Sequence, residues 1–237
     1  MAYAYVQGNT GSNVTSGTSI TAALTGVGVG NLLVFACRFA SQTRTINSIA
    51  GGGTWVRGPA KMEGSSYSLE VWYCLNSSGG SVTADATMSA AITNGRAFLV
   101  EYSGLLTVGA FDQSAILVLA GAATPQSLGA ITPSQNNSLL LTVGFNLTDS
   151  RTLVVPDTYA ARDTVVSGIT LNGGMMIADK RQTTAAAETV TWTWTGGVVT
   201  GAITSMSFKE AAVTSGSPDN HSSARGFNRG LARGFVG

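Results

Sequence analysis

A short apolar run, Asn31-Leu-Leu-Val-Phe-Ala-Cys-Arg-Phe39, returns 106 residues later as Asn137-Ser-Leu-Leu-Leu-Thr-Val-Gly-Phe145, with Asn at the start of both copies and Phe at the end. Each run is bounded by turn-forming residues and lacks the alternation of a half-exposed strand. That is the pattern of a strand buried on both faces. A strand of that kind needs a packed layer above and another below, so the chain must build more than one sheet around each copy.

The rest of the chain repeats around these two runs. Residues 3–7 are echoed at 111–113, with Gln7 matching Gln113, and residues 68–75 at 174–181. Residues 81–87 are echoed at 189–195, where Val190, Trp192 and Trp194 alternate strictly. Residues 97–104 are echoed at 202–208, Val100 matching Met206 and Tyr102 matching Phe208. Seven short strands in roughly a hundred residues, with turn signals between them, make a small antiparallel sandwich. The expectation is an all-β chain with an internal duplication: residues 1–105 form one β-sandwich repeat, residues 106–211 the second, and residues 212–237 a linker and arm. The two sandwiches are tandem or merged. The alternative is one large jelly roll whose sheets interleave strands from both halves.

Composition agrees with strands and tight turns. Gly occurs 30 times, and charged residues make up 11 % against about 25 % in ordinary domains. So low a charge protects a surface poorly against self-association, which suits a subunit covered by neighbours. The net charge of +1 carries no nucleic-acid signature. No run reaches the ~20 apolar residues of a membrane helix, and the start lacks a basic segment followed by an apolar one, so no signal peptide is expected. Cys37 and Cys74 are expected as unpaired thiols, with a disulfide the alternative.

The end of the chain is a different material. Three of the 13 basic residues, but one of the 12 acidic ones, follow Ala211. A Ser/Gly/Pro linker leads into a tetrad repeated three times: Arg225, Arg229 and Arg233, each followed by Gly and then by Phe227, Leu231 or Phe235. Its three glycines cost about 1 kcal/mol each against a helix. Its regularity instead marks a docking arm that orders on a partner, by strand addition or through avidity in an assembly.

Signals for chemistry are thin. The only histidine, His221, lies in the linker, so a His-based triad or a multi-His metal site in the body is excluded. Neither a phosphate-binding Gly-rich loop nor a nucleophile elbow occurs. Glu63, Glu70, Glu101, Asp85 and Asp179 are the acids a glycosidase would need, and on strands such scattered acids are expected to face solvent. No cofactor and no metal are expected, and the chain reads as a non-enzyme. Trp72, on the face of Glu70, is the aromatic placed best to stack on a glycan.

Three stretches, Gly30-Asn-Leu-Leu-Val34, then Glu70-Val-Trp-Tyr73 with Asn76 and Gly79-Gly80, then Glu101-Tyr-Ser-Gly-Leu105, resemble β-sandwich modules on virion proteins of tailed bacteriophages. The resemblance covers most of residues 1–211 and rests on strand-and-turn signatures. It implies a non-enzymatic structural or adhesive role, here expected on the particle exterior. Without a signal peptide and with unpaired thiols, the chain is expected to fold in the host cytoplasm. Its role on the particle would be capsid decoration or a subunit of a head fibre or tail appendage, anchored through the arm to other virion proteins and to copies of itself. From charge and hydropathy, no nucleic-acid and no membrane partner are expected. The alternative is a carbohydrate-binding or adhesin module that recognises a host-surface glycan through Trp72.

Overall fold

The computed structural model describes residues 2–12, 14–59, 62–63, 66–147, 151–165 and 174–212. All its regular structure is strand. In the first half these are β1 (Ala4–Thr10), β2 (Val14–Val27), β3 (Leu32–Ala40), β4 (Ile46–Ala50), β5 (Val56–Arg57), β6 (Met62–Glu63), β7 (Ser68–Cys74) and β8 (Gly80–Ser103). In the second they are β9 (Phe111–Ala122), β10 (Gln126–Ser127), β11 (Ser138–Asn146), β12 (Leu153–Val154), β13 (Ala160–Val165), β14 (Met175–Gln182), β15 (Thr191–Trp194) and β16 (Val199–Lys209).

Four layers result, joined by three cores. The long strand β8 serves two of them: residues 80–95 pair with β2 and β4 as an outer layer, while residues 96–103 join β1, β3, β7 and β5 as an inner one. The second half builds its own inner sheet, ordered β13-β14-β11-β16-β9, and a small outer one, β10-β15-β12. Among the described residues no sheet mixes strands from the two halves, unlike an interleaved jelly roll. Between the described halves the ladder contact is a single bridge, Leu105 to Glu210.

The two inner sheets face each other across the central core. Leu32, Val34 and Ala36 of β3 meet Leu139, Leu141, Val143 and Phe145 of β11 there, with Val100, Tyr102, Met206 and Phe208. The opposite face of β3, Leu33, Phe35, Cys37 and Phe39, packs on the first outer layer, and that of β11 packs on the second. This is why both organising strands are buried throughout. Each must exclude water on two sides.

The duplication is present, but its phase along these two strands differs from the sequence reading. At an offset of 106, Leu33 falls on Leu139, yet Leu33 belongs to an outer core and Leu139 to the central one. At 107 the faces agree: Leu32 with Leu139, Val34 with Leu141, Ala36 with Val143. The turn before the strand fits the same phase, since the left-handed residue there is Gly30 (φ 79) in one half and Asn137 (φ 58) in the other. Asn is one of the few side-chain-bearing residues that accept this conformation.

Elsewhere 106 holds. Leu69 and Val71 of β7 correspond to Met175 and Ile177 of β14. Even an irregularity recurs: the ladder of β1 on β8 skips Val6 between Tyr5 and Gln7, and the ladder of β9 on β16 skips Asp112 between Phe111 and Gln113. A β-bulge repeated at the same place is a built feature of the unit. The segments expected separately at 81–87 and 97–104 are one strand, β8, because no turn separates them. Their equivalents β15 and β16 are parted by Gly196 (φ 81) and Gly197.

The outer cores reach the same fill by opposite means. In the first half the bulk is on the inner strand, Phe35 and Phe39, and the outer strand offers Ala84 and Ala86. In the second half the inner strand offers Thr142, Gly144 and Asn146, and the bulk is on the outer strand, Trp192 and Trp194. A Cβ on Gly144 would sit 3.0 Å from the Trp192 ring. Two sheets at a fixed spacing leave a fixed volume, and large residues on one side require small ones opposite.

Candidate functional site

Among the described residues, four carboxylates lie inside the layers: Glu70, Glu101, Asp179 and Glu210, each at most 6 % exposed. Contrary to expectation, Glu70, Glu101 and Asp179 do not face solvent, and the strands that carry them are buried on both faces. Asp85 is half-buried and accepts from the Ser19 hydroxyl. The side chain of Glu63 lies outside the described residues.

Each buried acid is saturated by donors from the chain. Glu70 of β7 accepts from the Ile46 N–H (3.0 Å), the Thr45 hydroxyl (2.9 Å) and the Trp72 indole N–H (3.1 Å), and pairs with Arg57 at 2.9 Å. It thereby ties the start of β4 and the short β5 to β7. Glu101 of β8 accepts from the Gly28 N–H (2.8 Å), the Asn31 amide and the Gln7 amide (2.6 Å), fixing the turn before β3 and the edge strand β1.

Asp179 and Glu210 act between the halves. Asp179 of β14 accepts the Tyr102 hydroxyl at 2.7 Å and a two-pronged contact from Arg162, with Nε at 2.6 Å and a terminal nitrogen at 2.8 Å. Glu210 accepts the Tyr3 N–H at 3.1 Å and Arg181 at 2.8 Å. The same arginines stack on the first half: Arg162 lies 4.6 Å from the Tyr5 ring centre and Arg181 5.8 Å from that of Tyr3. Tyr3, Tyr5, Thr158, Arg162, Asp179 and Arg181 line a cleft of about 290 Å³ along this seam. A second cleft, about 210 Å³, lies beside Tyr159 and Glu188, where Lys180 pairs with Glu188 at 2.7 Å. In both clefts the acidic and basic groups named here are already matched to each other, so the arrangement fixes the relative position of strands and halves.

Comparison of the chain with protein-family models, with curated proteins and with solved structures gives no match. The site is therefore read from its own geometry.

Trp72 is not a surface platform. It is buried opposite Phe35 in the first outer core, with its indole N–H turned onto Glu70. The face it shares with Glu70 and Cys74 is the core side of the inner sheet, so the glycan expectation at Trp72 is corrected. Arg225, Phe227, Arg229, Leu231, Arg233 and Phe235 lie outside the described residues, as does His221. Apart from Asp179, the seam residues are not singled out by the sequence reading, although the repeat carries a signal for them. Asp179 stands where the first half has Tyr73, and Arg181 where it has Leu75. Charged groups at core-facing positions demand partners.

Burial raises the pKa of several groups that ionise to anions. The Cys37 thiol is pushed well up by burial, then by Glu70, and Cys74 is raised by burial. Both thiols are free. The cross-strand partners Leu33–Cys74 and Cys37–Glu70 place them four residues apart along β3, roughly 13 Å and beyond the span of a disulfide. Tyr102 is raised well above 10.0 by burial and then by Asp179.

A group whose folded pKa lies above its unfolded one stabilises the fold fully below the unfolded value. That stability is lost as pH rises towards the folded pKa. The protein is therefore expected to lose stability above about pH 9, the ordinary thiol value, and more steeply beyond 10.0 as tyrosines join. Each group adds a slope of about 1.4 kcal/mol per pH unit. Urea midpoints from pH 7 to 11 measure it. Cys37→Ala should flatten the first part of the decline, and an unchanged profile in that variant would remove the thiol from the account.

Proposed function

We propose that the protein is a non-enzymatic structural subunit on the exterior of a tailed-bacteriophage particle. It would decorate the capsid or belong to a head fibre or tail appendage, held through its C-terminal arm by other virion proteins and sister copies. The observation that supports this reading is the use made of buried charge. Among the described residues, every buried carboxylate is engaged in locking a loop, an edge strand or the seam between halves. Such a body is a stiff four-layered block. The last described residues are held at the seam: the Ala211 N–H bonds to the Gly104 carbonyl at 3.0 Å, next to the bridge between Leu105 and Glu210. A pull applied there would reach both halves at once.

Truncation after Ala212 tests the reading. The shortened protein is expected to stay soluble, with the melting temperature of the full chain, and to be lost from purified particles assembled in its presence. Incorporation at the full-length level would overturn the role assigned to the arm.

A further inference from the structure

We infer that β9 is a self-association edge: two copies of this chain pair antiparallel through Ser114-Ala-Ile-Leu-Val-Leu-Ala120, about a two-fold axis at Leu117, and join their five-stranded inner sheets into one. The strand is the last of the order β13-β14-β11-β16-β9, and among the described residues its only ladder is to β16, with the two-residue β6 lying near it. The Ala115 carbonyl faces β16, where it accepts the Thr204 hydroxyl. By alternation the N–H and C=O groups of residues 114, 116 and 118 point outward, up to the irregularity between Leu119 and Ala122.

Between its two irregularities, at Phe111–Gln113 and Leu119–Ala122, that outer edge carries little protection among the described residues. Natural edges are blunted by charges, prolines, shortness or a covering segment. This run has seven residues without a charge or proline, and it exposes Ile116 (44 %) and Val118 (40 %). The duplication supplies an internal control. In β1, the equivalent edge, Gln7 and Asn9 reach across to the carbonyls of Thr25 and Ala23 in β2, at 2.9 and 3.0 Å. In β9 the start is still tied down, Gln113 accepting the Thr132 N–H and Asp112 the Ser134 N–H. From there the protection stops: Asn9 is replaced by Ala115 and Thr10 by Ile116.

A second copy fits this edge for an electrostatic reason. In a two-fold antiparallel pair every residue meets its mirror position, so a charge near the axis would meet its own kind across it. The run has none. It reads nearly the same from either side of Leu117: Ile116 opposes Val118, Ala115 opposes Leu119, and Ser114 opposes Ala120. An edge of seven residues, about 23 Å long, is smaller than the ~800 Å² per partner of a standard interface. The dimer is accordingly a weak one that avidity strengthens in an assembly. It does not depend on the particle role proposed above.

Sedimentation velocity on the full chain tests it. The mass is expected to rise from 24.2 kDa towards twice that value with concentration. Ile116→Lys/Val118→Lys should weaken association at least about tenfold at an unchanged melting temperature. Ile116→Lys mixed with Val118→Glu should restore it, because position 116 of one copy faces 118 of the other. A chain that stays monomeric at ~0.5 mM overturns the inference, as does a double-lysine variant that associates like the parent. Loss of the dimer on truncation after Ala212 also overturns it, by making the arm, and not a second β9, the strand that occupies this edge.

Discussion

Asp179→Ala is expected to destabilise the protein by about 3 kcal/mol or more, since breaking a buried pair from one side strands the charge left behind. The substitution removes the acceptor for three donors at once: both Arg162 nitrogens and the Tyr102 hydroxyl. The partners differ in what they can do next. The Arg162 side chain is 28 % exposed and can turn part of its guanidinium to water. Tyr102 is fully buried in the central core, so its hydroxyl stays dry and unpaired at a cost of about 1–3 kcal/mol. Tyr102→Phe alone should therefore cost less, about 1 kcal/mol. In the Asp179→Ala background it should cost almost nothing, because the hydroxyl has already lost its acceptor. Urea unfolding followed by tryptophan fluorescence gives all three values. A loss below 1 kcal/mol for Asp179→Ala would mean that the seam is held by the apolar core alone, with its polar contacts incidental.

Asp179 also shows what the sequence could and could not convey. Strands buried on both faces were legible at residues 31–39 and 137–145, and so was the duplication that links them. Their phase was not. An exposed face marks which residues point inward, but a strand with two apolar faces carries no such mark. The eye then settles on matching letters, here Asn31 with Asn137 and Phe39 with Phe145. The conserved quantity was a backbone conformation, left-handed at Gly30 and Asn137. A slip of one residue exchanges the faces of the whole strand.

The acids were misplaced by a related error. Acids scattered singly along strands, such as Glu70, Glu101 and Asp179, suggest a solvent-facing role. Yet a strand sandwiched between two cores has no solvent face to give them, so the same reading that found the strands required these acids to be buried and paired. Trp72 shares the mistake, since its exposure had been inferred from its neighbour Glu70. The residues of the seam depend on how two sheets meet across more than seventy positions of chain, and only the charged substitutions at 179 and 181 in the second copy hinted at them.

Trp192→Ala is expected to cost about 3–5 kcal/mol, the range for truncating a fully buried large aromatic. The ring is 0 % exposed, lies against Gly144, and donates its indole N–H to the Thr142 hydroxyl at 3.0 Å. The void cannot collapse easily, because the sheets on either side are fixed by the central core and by the β11 and β16 ladder. The first half shows how evolution filled the same space without a tryptophan. Its equivalents of Thr142, Gly144 and Trp192 are Phe35, Cys37 and Ala84. Transplanting that set, Thr142→Phe and Gly144→Cys together with Trp192→Ala, should recover at least half of the stability lost in the single variant. Thr142→Phe/Gly144→Cys with Trp192 retained should be worse than the parent by overpacking, since Gly144 already has the ring at contact distance. The interaction between the inner-strand pair and position 192 is thus expected to be large and favourable in a thermodynamic cycle. Additive effects would mean that the two outer cores are not copies of one packing problem and that their opposite distribution of bulk is coincidence.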